Sequence, residues 1–135
     1  MLDERLAPKP TLATWDDLVL RVTYVSDEDV ASGSIVLDVR DYKDQRLLVL
    51  DSGLKVPLVR GQHSVDCRIR RFPLASGQFT LAAGLALSNS QWLWRETGLA
   101  TFDVLARDVH GIGRAPVTSR MLVAAEHDWA QAGAK

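Results

Sequence analysis

The sequence predicts an all-β fold, an immunoglobulin-like antiparallel β-sandwich. Three observations predict it: short segments alternate apolar with polar residues, β-branched side chains are frequent in these segments, and turn-forming residues separate them. Helix signals are scarce, and residues 126–132 could form one turn at most. About seven short strands with frequent turns are typical of a two-sheet sandwich. Because the chain lacks the Cys–Trp–Cys pattern of antibody domains, the prediction concerns the architecture alone.

The predicted strands are the segments in which apolar residues recur at every second position. In chain order they cover residues 18–25, 35–40, 47–50, 54–59, 63–71, 79–87, 100–104 and 117–125. The second strand shows the pattern clearly: Ile35, Leu37 and Val39 share one face, while Asp38 and Arg40 take the other. The fourth contains a proline, which cannot donate to a sheet ladder and so indicates an edge or connecting segment.

Turn-forming residues end the early strands. Asp27-Glu-Asp29 follows the first, Asp41-Tyr-Lys-Asp44 the second, and Asp51-Ser-Gly53 the third. The strands at residues 63–71 and 79–87 flank the segment Phe72-Pro-Leu-Ala-Ser-Gly-Gln-Phe79. We expect these two strands to pair as a hairpin across that turn.

The second half of the chain contains an aromatic loop and a glycine-rich loop. Trp92 and Trp94 lie in the first, before a strand that ends in Phe102-Asp-Val104. The two tryptophans share one face if the segment is extended, and we expect one to be exposed and the other buried. Residues 108–116 form the second loop, before the last predicted strand.

The chain divides into one domain and two terminal segments. Residues 1–16 are predicted to be an N-terminal arm or linker, because Ala7-Pro8-Lys9-Pro10 cannot continue a helix. Residues 17–130 form the sandwich, and residues 131–135 are expected to be a disordered tail. A chain of 135 residues that is 47% hydrophobic and 24% charged suits one globular domain.

Charge and composition exclude several classes of function. With 16 basic and 17 acidic residues, the chain lacks the basic excess of a nucleic-acid binder. No apolar run approaches the roughly 20 residues of a membrane helix, and the N-terminus lacks the regions of a signal peptide. Cys67 is the only cysteine, which rules out an internal disulfide and a Cys-rich zinc site. We therefore expect a cytoplasmic location.

No catalytic, metal or cofactor site is predicted. His63, His110 and His127 are far apart in the sequence and belong to no known catalytic or metal motif. Cys67 falls on the inward phase of its strand, where a thiol is usually a small buried hydrophobe. Gly111-Ile-Gly113-Arg114 lacks the third glycine and the Lys-Ser/Thr ending of a nucleotide loop, so a tight turn explains it better.

The outward face of the strand at residues 79–87 has unusually small side chains and is the candidate ligand surface. With the expected hairpin partner and the tryptophan loop, the candidate ligand-binding residues are Asp66, Arg68, Arg70, Thr80, Ala82, Gly84, Ala86, Trp92, Trp94 and Arg95. A groove with planar hydrogen-bonding groups and aromatic rings suits sugars, which present hydroxyls and an apolar C–H face. The alternative is that small residues let another strand, an arm or a subunit pack there.

A local basic cluster lies in the same region and consists of Arg60, Arg68, Arg70 and Arg71. Such residues usually form a solvated face with acidic neighbours. If they are functional, they fit an anionic sugar or a phosphate, because guanidinium forks suit both carboxylate and phosphate.

Three segments resemble a known family. They are Val59-Arg-Gly-Gln-His-Ser-Val65, Ile69-Arg-Arg-Phe-Pro-Leu-Ala-Ser-Gly-Gln-Phe-Thr-Leu81 and Ala100-Thr-Phe-Asp-Val104. In this order they resemble the C-terminal carbohydrate-binding domain of the ATP-binding proteins of O-antigen polysaccharide ABC transporters. The ending Met121-Leu-Val-Ala-Ala-Glu-His-Asp-Trp129 is similar as well, so the likeness covers roughly residues 18–129.

The resemblance implies a non-catalytic domain, fused behind an ATPase domain, that binds the end of the exported O-antigen polysaccharide. Its implied partners are this polysaccharide, the ATPase domain, the transmembrane subunit of the transporter and a second copy in a homodimer. The implied location is cytoplasmic, at the inner face of the inner membrane. Two alternatives stay open: an immunoglobulin-like protein-interaction or dimerisation module without glycan binding, and a small glycan-modifying enzyme. The resemblance transfers no binding motif, so the candidate residues rest on strand phase alone.

Overall fold

The computed structural model describes residues 1–26, 30–53, 56–58, 60–87, 92–117 and 120–132, and all regular structure in them is β. Within these ranges the strands are β1 (Leu12–Ala13), β2 (Leu18–Ser26), β3 (Val30–Arg40), β4 (Arg46–Asp51), β5 (Val56–Leu58), β6 (Gly61–Ile69), β7 (Gly77–Ala86) and β8 (Trp92–Leu105). In these residues there is no helix long and apolar enough to cross a membrane.

The strands form two sheets of unequal size. The larger has six strands in the order β1-β8-β7-β3-β4, with β5 also paired to β3, and the smaller contains β2 and β6. All pairings are antiparallel except that of β1 with β8. This is the predicted immunoglobulin-like β-sandwich.

The core lies between the sheets and draws on both. Leu18 of β2 packs in one buried cluster with Val39 of β3 and Phe79 of β7. A second cluster is built on Leu37 of β3 and Leu85 of β7, with partly buried residues of β2 and β6 against it. Alternation along each strand explains this, because every second side chain points to the same face.

The predicted hairpin between residues 63–71 and 79–87 is wrong. β6 pairs with β2 in the smaller sheet, and β7 pairs with β3 and β8 in the larger one. The segment between them crosses the core, because Phe72, Leu74 and Ala75 are buried there rather than exposed in a tight turn.

The last predicted strand, residues 117–125, is also wrong in the part that the structure describes. Only isolated bridges form there, Ser76 with Val117 and Leu74 with Val123. The segment instead packs on the residues that connect β6 to β7, where the Ala75 N–H donates to the Leu122 carbonyl at 3.0 Å. The aromatic loop differs as well, because the tryptophans belong to β8 itself. The predicted tail at 131–135 lies partly outside the described residues.

The N-terminal segment packs on the sandwich. Leu12 is buried in the core, and β1 pairs with the end of β8. The Thr14 hydroxyl donates to the Leu74 carbonyl at 2.9 Å. Asp16 accepts the Ala13 N–H at 2.9 Å and contacts the Lys9 ammonium at 3.2 Å and the Arg107 guanidinium at 2.6 Å. This carboxylate therefore connects the arm to the strand end.

Replacing Asp16 with asparagine is expected to lower the free energy of unfolding at pH 7 by about 1 kcal/mol. Burial alone would raise the pKa of Asp16, but the Ala13 N–H, Lys9 and Arg107 outweigh it, so this pKa is lowered. A lowered pKa gives stability that is present above the unfolded pKa and is lost as the pH falls through the folded one. Urea unfolding at several pH values should show the difference from wild type shrinking below about pH 4.

The exposed Asp103→Asn serves as the control, with a change within about 0.5 kcal/mol. An Asp16→Asn deficit that stays constant from pH 7 down to pH 2 would contradict an ionic origin.

Candidate functional site

The small-sided face of β7 lies on the outside of the six-stranded sheet. Phe79, Ala83 and Leu85 of β7 point inward and are buried, as their phase predicts. Thr80, Ala82, Gly84 and Ala86 therefore take the opposite face. Within this small-sided strip, Ala82, 3% exposed, and Gly84 are nevertheless buried, whereas Thr80 and Ala86 are partly exposed.

Register shows which residues flank the strip. On β3, Asp38 lies opposite Ala82 and Arg40 lies opposite Thr80. On β8, Arg95 lies opposite Gly84. Directly paired residues point to the same face of a sheet, so two charged residues of β3 and one of β8 share the outer face with the strip.

Trp92 lies over Gly84. A Cβ atom added at Gly84 would lie 2.5 Å from Cζ3 and 2.9 Å from Cε3 of the indole. Only glycine therefore accommodates the ring in this position, where the tryptophan remains 41% exposed. The indole forms a partly exposed aromatic platform on the outer face.

Trp94 points to the other face, so the expectation of a shared face is wrong. The β7–β8 register shifts between Leu85 and Ala86, which lie opposite Trp94 and Trp92 respectively. Adjacent residues of β7 point to opposite faces, and so do their partners. The two tryptophans take opposite faces because a β-bulge shifts the register between them, and the alternation of the sequence does not reveal a bulge. Trp94 is 44% exposed, so the expectation of one buried tryptophan is also wrong.

The Asp38 carboxylate lies near the Trp92 ring and has three guanidinium groups around it. Asp38 is only 6% exposed, and its Oδ1 accepts a hydrogen bond from Arg40 Nε at 2.9 Å. Its Oδ2 lies 3.5 Å from Arg46 Nε and 4.0 Å from Arg95 Nη2. The hydrogen bond with Asp38 raises the pKa of Arg40. Arg95 also lies over the Trp92 ring, with Cζ 5.0 Å from the ring centroid.

We call this surface the outer platform. It comprises Asp38, Arg40, Arg46, Thr80, Ala82, Gly84, Ala86, Trp92 and Arg95. It combines the partly exposed Thr80 and Ala86, an aromatic ring and charged hydrogen-bonding groups. An aromatic ring can contact the C–H face of a sugar, and guanidinium and carboxylate groups can bind its hydroxyls.

Besides Trp94, three predicted site residues lie outside the outer platform. Asp66 and Arg68 belong to β6 in the two-stranded sheet, and Arg70 follows that strand. Asp66 accepts two hydrogen bonds from Arg21, at 2.8 and 3.1 Å, and this interaction lowers the pKa of Asp66. Since β6 does not pair with β7, the predicted single surface is divided between two sheets.

One arginine of the basic cluster, Arg71, has partners away from the outer platform. Arg71 lies over the Trp15 ring, with 5.1 Å from Cζ to the centroid, and forms an ion pair with Glu126. Arg71 therefore attaches the C-terminal segment to the domain and is not part of the outer platform.

Asp38, Arg40 and Arg46 are not among the candidate residues predicted from the sequence. The alternation did assign Asp38 and Arg40 to the polar face of β3, whereas Arg46 begins β4, one residue before the predicted strand. That β3 lies between β7 and β4 depends on strand order, which no local pattern contains. Without that order, the three residues had no link to the small-sided strip.

A cleft of about 420 Å³ opens between the sheets and is lined mainly by apolar residues, among them Val22, Leu37, Val65 and Cys67. Burial raises the pKa of the Cys67 thiol. A protonated thiol in an apolar wall suits packing rather than nucleophilic attack. In the part of the chain that the structure describes, no group of three or more His, Cys, Asp or Glu residues could hold a metal ion.

Comparison with solved structures finds the same fold in one named domain. The structure described as "Crystal structure of the C-terminal domain of wzt" superposes with a TM-score of 0.70. The alignment covers 96% of this chain and 78% of that chain, at 15% sequence identity. No family model and no curated protein matches the sequence. At this identity the likeness shows the fold, and that fold is the one that the sequence resemblance implied.

Proposed function

We propose that this chain is a non-catalytic carbohydrate-binding domain that recognises the end of an O-antigen-type polysaccharide for export by an ABC transporter. The main supporting observation is the Trp92 ring, held over Gly84 beside the Asp38 and Arg95 charges. The likeness to the C-terminal domain of wzt supports the class of domain. The implied partners are the polysaccharide, an ATPase domain, a transmembrane subunit and a second copy. The proposed location is cytoplasmic, at the inner face of the inner membrane.

In this proposal each part of the outer platform has a role. Trp92 contacts the apolar face of a sugar ring with the part of its indole that stays exposed beside Arg95. The Thr80 hydroxyl and the charged groups around Asp38 bind sugar hydroxyls.

Trp92→Ala is expected to weaken glycan binding at least tenfold, which corresponds to about 1.4 kcal/mol. The reason is the loss of the stacking surface, and because the ring also packs against Gly84, urea unfolding checks that the variant stays folded. Arg68→Ala, on the other sheet, is the matched control and should leave affinity unchanged. Calorimetry and saturation-transfer NMR with a panel of O-antigen-type polysaccharides measure both.

Two results would contradict the proposal. One is a folded wild-type domain that binds no member of the panel. The other is formation of a reaction product from a bound glycan, which would favour the glycan-modifying enzyme. Loss of binding in Arg68→Ala with normal binding in Trp92→Ala would instead move the site to the smaller sheet.

The edge of β8 favours a second candidate, an interaction or dimerisation module. β1 covers this edge only at Val104 and Leu105, and residues 94–101 of β8 are exposed. An open strand edge invites pairing with another chain. A domain that dimerises in light scattering and ignores all glycans would support this candidate against the first.

A further inference from the structure

The arginines around Asp38 are not equivalent. Arg40 donates to Oδ1 at 2.9 Å, the distance of a good charge-assisted hydrogen bond, and also contacts Asp44 at 3.3 Å. Arg46 and Arg95 approach the other oxygen, Oδ2, from β4 and β8 at 3.5 and 4.0 Å. Both distances exceed the usual range of about 2.7–2.9 Å for charge-assisted hydrogen bonds. Two guanidinium groups therefore converge on one carboxylate oxygen without a close bond to it.

The charged groups around Asp38 carry an excess of positive charge. Three arginines face two carboxylates, Asp38 and Asp44, which leaves a net charge of +1. Arg40 contacts both carboxylates, whereas Arg46 and Arg95 approach Asp38 alone among the ion pairs of the described residues. The excess positive charge therefore lies at Arg46 and Arg95.

Arg46 and Arg95 are also accessible. Their side chains are 49% and 34% exposed, whereas that of Arg40 is 15% exposed. Arg95 lies over the Trp92 ring, 5.0 Å from its centroid. An anionic group attached to a sugar at the platform edge would therefore meet both guanidinium groups.

We infer that the outer platform binds a sugar that carries an anionic group, a carboxylate or a phosphate, held between Arg46 and Arg95. The inference rests on the proposed function and names the class of its ligand. Guanidinium groups present paired N–H donors that fit both anions. Asp38 attracts both arginines without bonding either closely, and the anion supplies acceptor oxygens at hydrogen-bond distance.

The test is an amide NMR titration of the whole chain with defined probes. They are methyl β-D-glucuronide, glucose 6-phosphate and neutral methyl β-D-glucoside, with inorganic phosphate as the anion without a sugar. We expect both anionic sugars to bind at least about tenfold more tightly than the neutral glucoside and than phosphate. Comparison of the two anionic sugars distinguishes carboxylate from phosphate as the preferred group.

Arg46→Gln and Arg95→Gln should each reduce this preference at least about fivefold, because each removes one of the two guanidinium groups. Arg68→Gln, an exposed arginine on the other sheet, should leave it unchanged. Equal binding of the neutral and anionic sugars would overturn the inference and leave the proposed function standing. Absence of binding by every probe, or a preference that survives both substitutions, would also overturn it. Polysaccharide binding tests the proposed function separately.

Discussion

Phe72→Ala is expected to destabilise the domain by about 3–5 kcal/mol, a large share of the total stability of a typical domain. The ring is 1% exposed and packs with Leu18 and Phe79 where the chain crosses from one sheet to the other. It also contacts Phe102 edge-to-face, with 6.1 Å between centroids. Removing the ring leaves a cavity that both sheets line, so neither sheet alone can close it. Urea unfolding followed by tryptophan fluorescence measures the change.

Val25→Ala is the matched control for this experiment. Val25 lies on β2 and is 70% exposed, so its truncation should change the free energy of unfolding by less than about 0.5 kcal/mol. A loss below about 1.5 kcal/mol in Phe72→Ala would show that the crossing segment is not part of the core.

Gly84→Ala is expected to weaken glycan binding at least about tenfold and to lower stability by about 1–3 kcal/mol. The added methyl group would lie 2.5 Å from Trp92 Cζ3, so the indole must leave its position. The Trp94 carbonyl oxygen, 3.2 Å from the same position, limits how far the backbone can accommodate the change. The substitution therefore displaces the indole from the outer platform but keeps the tryptophan in the sequence. Calorimetry with a polysaccharide that the wild type binds measures the effect.

A double-mutant comparison separates displacement of the ring from general damage. If Gly84→Ala acts only through Trp92, it should add no further loss of affinity in a Trp92→Ala background. Additive losses would contradict this, because they would show that Gly84 affects the ligand by another route.

Local patterns in the sequence predicted much of β2, β3, β4, β6 and β7, but they placed a strand at residues 117–125 and a loop in the first part of β8. The alternation from Ser64 to Ile69 placed Val65 and Cys67 inward and Asp66 and Arg68 outward, and their burial confirms it. Each assignment needs only the phase of one strand, which neighbouring residues determine.

Strand pairing could not be predicted in the same way. The segment at Phe72-Pro-Leu-Ala-Ser-Gly has the composition of a hairpin turn, yet its apolar residues are buried and direct the chain into the other sheet. Which sheet the chain enters depends on the energy of the whole core. Because β6 and β7 lie in different sheets, Asp66 and Arg68 are separated from Gly84, and Asp38 of β3 lies opposite Ala82 instead.

The orientation of the tryptophans depended on a single irregularity. One register shift between Leu85 and Ala86 turns Trp92 to the outer face and Trp94 away from it. Trp92 then occupies the space above Gly84, so the small-sided strip that the sequence did identify is partly filled by its own chain.

Amide NMR mapping of the glycan-binding face distinguishes the outer platform from the smaller sheet. The isotope-labelled chain is titrated with an O-antigen-type polysaccharide, and shift changes are assigned to residues. We expect the largest changes on β3, β7 and β8, around Asp38, Gly84 and Trp92. Changes confined to β2 and β6, around Asp66 and Arg68, would contradict this expectation, as would the absence of changes with every polysaccharide of the panel.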